Sequence, residues 1–309
     1  MAEQLRGIFG ILVTPFDKSG EMDVEGLQAQ VRFCSQGGAH GIVWPVSSSE
    51  FQALSYDERK RGAEAIADEM AKLPASRRLK FVAGTAGLNA RDTADLSRHA
   101  QSVGADGVVA MPPFAVHVPM STVPDYYRCI ASATTLPLVV QNQSGPMQNA
   151  MSAELIVRMA REMPSIQYVK EESGVCTHMI TALQRTDRES KALKGVFGGS
   201  GGYYLVQEME RGSCGMMSAC HVVDAQVKVW DLFEKGDVQG ARQALTQTMP
   251  LQLLWHLLGI RVPKEVLRVR GVIKNAATRK GDAMDDYDMK EMMACLGQLE
   301  PILTVPLPK

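Results

Sequence analysis

Eight short apolar runs recur along the 309 residues at intervals of roughly 20 to 40, and this recurrence constrains the fold more than any other feature. The runs cover residues 8–13, 41–46, 79–84, 106–111, 136–140, 166–169, 193–197 and 214–218. Each is short and closed by polar, proline or glycine residues, as expected of a strand buried on both faces. Helical patterns lie between them. Residues 23–34 place Val24, Leu27, Val31 and Cys34 at helical spacing and stop at Gly37-Gly38. Residues 91–103 and 152–162 read as further helices, with Ser152 as an N-cap. Strands alternating with helices imply parallel βαβ units, and eight units imply a (β/α)8 TIM barrel of the α/β class. The alternative is a doubly wound open sheet. It is disfavoured because no strand leads into a G-x-G-x-x-G turn, and Gly198-Gly199-Ser200-Gly201-Gly202 lacks a P-loop lysine.

Beyond residue 222 the strand signal ends. Residues 224–233, 238–249, 251–258, 263–276 and 285–299 read as helices, and 305–309 as extended chain. The expected organisation is a barrel over 1–222 and a helical extension over 223–309 packed on it as one structural unit.

The formal net charge of -1 gives no basis for binding nucleic acid or an acidic membrane surface. No run approaches the roughly 18 apolar residues of a membrane span. The first six residues lack the basic and apolar regions of a signal peptide, so a cytoplasmic protein is expected. The six cysteines form no C-x-x-C pair, and the six histidines show no H-x-x-x-H or H-E-x-x-H spacing. Scattered thiols of this kind are buried residues rather than a disulfide framework, and no metal site is expected.

The chemistry centres on residues 166–174, where an apolar strand runs into Lys170-Glu171-Glu172-Ser173-Gly174. Side chains alternate along a strand, so Lys170 and Glu172 share one face and Glu171 points to the other. Taken alone, the stretch reads first as a solvated strand end. A barrel changes that reading, because barrel enzymes carry their chemistry at the C-terminal ends of the strands. There the sequence places Thr14, Ser47-Ser48-Ser49-Glu50, Phe114, Gln141-Asn142-Gln143, Lys170, Glu172, Gly199-Ser200 and Ser218. A lysine in a largely apolar pocket can supply a neutral amine and attack a carbonyl to form a Schiff base. Hydroxyls and open backbone N–H groups suit a carboxylate, and the two together suit a 2-keto acid.

At these residues the chain resembles the dihydrodipicolinate synthase/N-acetylneuraminate lyase superfamily of class I aldolases. The resemblance rests on Val13-Thr14-Pro15-Phe16, Ser47-Ser48-Ser49-Glu50, Gly104-Ala105-Asp106-Gly107, and Val169-Lys170-Glu171 with Ser173-Gly174. It implies a barrel, a Schiff base at Lys170, no external cofactor, a keto-acid carboxylate held by Ser47, Ser48 and nearby backbone, and a homo-oligomer, most often a tetramer. Thr14, Ser49, Gly199, Ser200, Ser218 and Phe114 complete the expected substrate site.

Departures from the family pattern narrow the reaction. The family's Thr-Thr after strand two is Ser47-Ser48 here, which keeps both hydroxyls. Its Thr-Pro-Tyr-Tyr after strand four is Met111-Pro112-Pro113-Phe114, without a phenol. Its proton-relaying tyrosine after strand five is Gln141, which cannot ionise near neutral pH. No arginine clearly matches the one that follows that motif in dihydrodipicolinate synthases. Glu172, with Gln141 or Gln143 orienting a water or a hydroxyl, is then the expected proton-moving group. A base beside an imine without that phenol suits elimination, and the substitution pattern resembles L-2-keto-3-deoxyarabonate dehydratase, a sugar-acid member of the superfamily. An aldolase of the same fold, and a barrel that only binds a keto acid, are the alternatives.

Overall fold

The computed structural model describes residues 4–115, 117–144, 150–281 and 283–308; residues 1–3 of the stretch read for a leader lie outside these. Its strands are β1 (Gly7–Ile11), β2 (Gly41–Trp44), β3 (Lys80–Gly84), β4 (Gly107–Ala110), β5 (Leu138–Gln143), β6 (Ile166–Glu172), β7 (Gly195–Gly198) and β8 (Gly215–Ala219). They form a closed barrel in chain order, with all described pairings parallel. The eight apolar runs are therefore the eight strands. The intervening helices are α1 (Val24–Gln36), α2 (Tyr56–Ala71), α3 (Ala90–Ser102), α4 (Val123–Ala131), α5 (Ala153–Glu162), α6 (Cys176–Thr186) and α7 (Leu205–Glu210). After β8 come α8 (Val223–Glu234), α9 (Val238–Leu258), α10 (Arg261–Val269) and α11 (Asp286–Leu299).

By compactness the chain divides into Met1–Arg6 with Lys80–Met217, and Gly7–Leu79 with Ser218–Lys309. In the first unit, Val108, Val109, Val139, Val140, Val169 and Phe197 are almost wholly buried, as strands covered on both faces require. The β5–β6 register pairs Gln141 with Lys170, Asn142 with Glu171 and Gln143 with Glu172. Gln141, Gln143, Lys170 and Glu172 thus share one face, and Asn142 and Glu171 the other. Ser152 caps α5 by accepting from the Leu155 N–H at 3.3 Å, as the sequence predicts.

In the second unit, the buried Gln30 side chain on α1 accepts from Val13 N–H at 2.9 Å and donates to Val13 C=O at 3.0 Å. It satisfies the backbone just past β1 where the ladder stops. Val222, Ala225, Leu251, Val262, Val266, Met292, Leu296 and Leu299 make one apolar core for the last four helices. Two helix boundaries differ from expectation. Residues 238–249 and 251–258 form one helix with Pro250 inside it. An interior proline costs roughly 3 kcal/mol, but burial of Leu245 and Leu251 on either side contributes a similar or larger amount. Helix α10 ends at Val269 rather than running to 276, because Gly271 turns left-handed at φ 72. Arg270 is turned inward there and forms a buried fork on the Asp224 carboxylate, at 2.9 and 2.7 Å.

Candidate active site

In the first unit the ends of β5, β6 and β7 build one polar group. Lys170, only 2% exposed, makes an ion pair with Glu172 Oε2 on its own face of β6. Gln141 Nε2 donates to the same oxygen at 2.8 Å and to Gln143 Oε1 at 3.1 Å. The other carboxylate oxygen, Glu172 Oε1, accepts from the backbone N–H of Ser200 at 3.0 Å. The carboxylate is thus held from three strands by an ammonium, an amide and a peptide N–H. Ser200 sits at φ 45, a left-handed conformation that a non-glycine residue adopts only when its surroundings fix it. Gly199 explains how the carboxylate fits: a Cβ there would stand 2.4 Å from Glu172 Oε1. Lys170 therefore lies against a carboxylate and an amide network, not in the largely apolar pocket expected.

The opposite face of β6 is structural in character. Glu171 is fully buried; its oxygens accept from Asn142 Nδ2 at 2.8 Å, Ser173 N–H at 2.6 Å and the Ser173 hydroxyl. Burial pushes its carboxyl up to about 7, against those hydrogen bonds. Asn142 also accepts from Met151 N–H at 2.8 Å. This lattice locks the strand end, so that the alternate residues Lys170 and Glu172 keep their direction.

In the second unit the turn after β2 is held by hydroxyls. Thr14 Oγ1 donates to Ser49 C=O at 2.6 Å and accepts from Trp44 Nε1 at 3.1 Å. Ser49 Oγ donates to Leu12 C=O at 2.6 Å and accepts from Val46 N–H at 3.2 Å. Both residues are fully buried, and their hydroxyls are already committed. The following Glu50 is left-handed at φ 55. Its carboxylate pairs with the buried Lys264 and accepts from Arg279 N–H at 2.9 Å. Arg279 in turn forks onto Glu58, at 2.6 and 2.9 Å, and drives that carboxyl down to about 2. Ser47 and Ser48 are half-buried on the first residues of this braced turn. Ser218, on β8, is buried with a hydroxyl that has no hydrogen-bond partner among the described residues.

The residues expected to act together, Lys170, Glu172, Gln141 and Gln143, do meet. Gly199 and Ser200 meet them too, but as packing surface and N–H donor to Glu172. Thr14 and Ser49 brace their turn. Phe114 is half-buried in the segment after β4. His117 and His178 are both exposed, and His178 lies on α6. The bracing residues Lys264, Arg279 and Glu58 were missed, and Glu50 was placed at the strand end without its bracing role. Glu58 and Arg279 lie in polar stretches, so their pairing carries no local sequence signal. All six cysteines are free thiols. Among the described residues no group of three or more His, Cys, Asp or Glu could hold a metal ion, and no helix is long and apolar enough to cross a membrane.

The chain is similar to known proteins in sequence and in structure. The chain is 26% identical to an L-2-keto-3-deoxyarabonate dehydratase of Azospirillum brasilense over 305 residues, 96% of each chain. It is 30% identical to an uncharacterised DapA-like lyase of Thermococcus onnurineus over 221 residues, 70% of this chain and 71% of that one. The crystal structure of YagE, a prophage protein of the dihydrodipicolinic acid synthase family from E. coli K12 in complex with pyruvate, superposes with a TM-score of 0.88 at 23% identity. That superposition covers 96% of this chain and 99% of YagE, and it attests the fold. The dihydrodipicolinate synthetase family model matches residues 4–295, nearly the whole chain, and on that match this protein belongs to that family of lyases.

Proposed function

We propose that the protein is a Schiff-base lyase that dehydrates a 2-keto-3-deoxy sugar acid, with L-2-keto-3-deoxyarabonate as the substrate and 2-oxoglutarate semialdehyde as the product. The observation that carries this reading is the Lys170–Glu172 contact, with Gln141 holding the same carboxylate oxygen where a proton-relaying phenol would otherwise stand.

The Lys170 amine adds to the C2 carbonyl, and loss of water gives the imine. C3 is two bonds from the imine nitrogen, so the carboxylate that touched Nζ also reaches the C3 proton. Glu172 takes that proton, and the electron pair forms the enamine. The C4–O bond then breaks; the departing oxygen takes a proton from Glu172 or from a water held by Gln141 or Gln143, and leaves as water. Tautomerisation and hydrolysis of the imine return the Lys170 amine and release the semialdehyde. The balance is one substrate giving one product and one water. Ser47 and Ser48, with Ser218, are assigned to the substrate carboxylate and its neighbouring oxygens, with Phe114 as an apolar wall. No external cofactor takes part. The family's habit supports a homo-oligomer, with a tetramer as the form to test by sedimentation.

Borohydride reduction in the presence of pyruvate tests the reading. Lys170 should be trapped in both the wild type and Glu172→Gln, while turnover of the keto-deoxy acid falls by about two orders of magnitude or more in the variant. Failure to trap the wild type would remove the Schiff base. Near-normal turnover by Glu172→Gln would remove Glu172 from its role.

A further inference from the structure

Behind β7 lies a carboxyl that this reaction does not use. Glu208, on α7, is fully buried beside Leu205 and Met209. Its Oε1 accepts from the Cys176 thiol at 3.4 Å, and its Oε2 has no hydrogen-bond partner among the described residues. Carboxyls are seldom buried so completely without a charged partner. What Oε2 does touch is backbone: a Cβ at Gly198 would stand 1.7 Å from it. One residue on, a Cβ at Gly199 would stand 2.4 Å from Glu172 Oε1. The Gly198-Gly199 dipeptide therefore runs between two carboxyl groups, one against each face, and neither position has room for a side chain. The next residue is Ser200, whose N–H holds Glu172.

We infer that Glu208 is a positioning residue, whose neutral carboxyl backs Gly198 from the helix side, presses the dipeptide against Glu172 and aims the Ser200 N–H at that carboxylate. The inference rests on the reading of Glu172 as the base. It adds a device for setting the base that the motif residues do not contain.

The charge state follows from the surroundings. Burial pushes the Glu208 carboxyl up to about 8; the Cys176 hydrogen bond opposes this, and the Glu172 and Glu171 charges add to it. The titratable groups facing it among the described residues are Glu171 and Glu172 from β6 and Cys176 from α6, whose thiol burial raises to about 12. From β7 it meets the Gly198 backbone. At neutral pH a proton on Glu208 lets it approach the dipeptide without repelling Glu172. Above about pH 8 it ionises, and like-charge repulsion loosens the clamp.

The experiment compares full-length wild type, Glu208→Gln and Glu208→Ala. Turnover is followed from pH 6 to 10, together with the pyruvate half-saturation of borohydride trapping at Lys170. Glu208→Gln keeps the volume and the neutral state, so its rate at pH 7 should stay within about twofold while the alkaline fall moves up by about one pH unit or more. Glu208→Ala removes the backing, so kcat at pH 7 should fall about tenfold or more with the trapping half-saturation unchanged. A crystal structure of Glu208→Ala gives a readout that does not depend on the reaction: the Ser200 N to Glu172 Oε1 separation should open beyond hydrogen-bond range. An unmoved alkaline fall in Glu208→Gln, or an unchanged Ser200–Glu172 bond in Glu208→Ala, overturns the inference. If Glu208→Ala does not fold, the Glu208→Gln profile alone decides. Normal turnover by Glu172→Gln, with the Ser200–Glu172 bond opened in Glu208→Ala, would instead count against the base assignment and leave the clamp standing.

Discussion

Replacing Gly199 by alanine inserts one methyl into the tightest contact of the site. The new carbon would stand 2.4, 2.5 and 2.6 Å from Glu172 Oε1, Cγ and Cδ. An ordinary contact needs about 1 Å more, and Glu208 against Gly198 resists any retreat of the strand. The Glu172 carboxylate therefore moves. Its bonds to Ser200 N–H, at 3.0 Å, and to Gln141 Nε2, at 2.8 Å, stretch past useful length. Each is a hydrogen bond to a charged group, worth roughly 1.5–3 kcal/mol, and displacing a catalytic group by about 1 Å costs on the order of a hundredfold in rate. The expected result for Gly199→Ala is a kcat lower by about a hundredfold. Lys170 should still trap pyruvate with borohydride at a half-saturation within about threefold of wild type, because the lysine is not displaced. Overpacking should cost about 1–3 kcal/mol of stability by urea denaturation, which leaves the protein folded for assay. A Gly199→Ala enzyme with the wild-type rate would refute the claim that Glu172 must sit where the glycine allows it. Equal loss of trapping and turnover would refute its restriction to the chemical step.

Other perturbations separate bracing from binding. Thr14→Val keeps the shape but leaves Trp44 Nε1 and the Ser49 carbonyl unpaired; stability should drop by about 2 kcal/mol in urea denaturation, with turnover of the purified enzyme near normal. Ser47→Ala should do the opposite, raising the pyruvate half-saturation for trapping about tenfold at unchanged stability. Lys264→Met strands the Glu50 carboxylate in the interior and should cost about 3–5 kcal/mol, read by calorimetry as a fall in Tm. Glu58 is held below its ordinary carboxyl value by Arg279, so its stabilising effect is full above about pH 4.5 and disappears as pH falls toward 2. Arg279→Ala should lose stability at neutral pH and show a shallower acid limb over that window.

How much of this was legible follows from how local each feature is. The eight strands were readable because a strand covered on both faces must be apolar along its length. Lys170 and Glu172 were readable as partners because a period of two decides which face a strand residue takes. The register that sets Gln141 beside Lys170 and Gln143 beside Glu172 is a pairing across 29 residues, and no local pattern fixes it. For Thr14 and Ser49 the residue type was right for an anion site, yet a hydroxyl bonds whatever the fold brings to it, and here that is backbone. Pro250 misled because proline's local cost was outweighed by burial that only the packed helices supply. Glu50 with Lys264 and Arg279, and Glu208 with Gly198, join segments far apart in the chain. No local pattern in any of these segments reports such a pairing.

On the proposed mechanism the lysine–glutamate pair drives elimination rather than carbon–carbon cleavage. Mass spectrometry of the products formed from racemic 2-keto-3-deoxypentonate tests it most directly. A single product lighter than the substrate by one water, absent from the Glu172→Gln reaction, is expected. Pyruvate together with glycolaldehyde would contradict it and make the protein an aldolase acting through the same lysine.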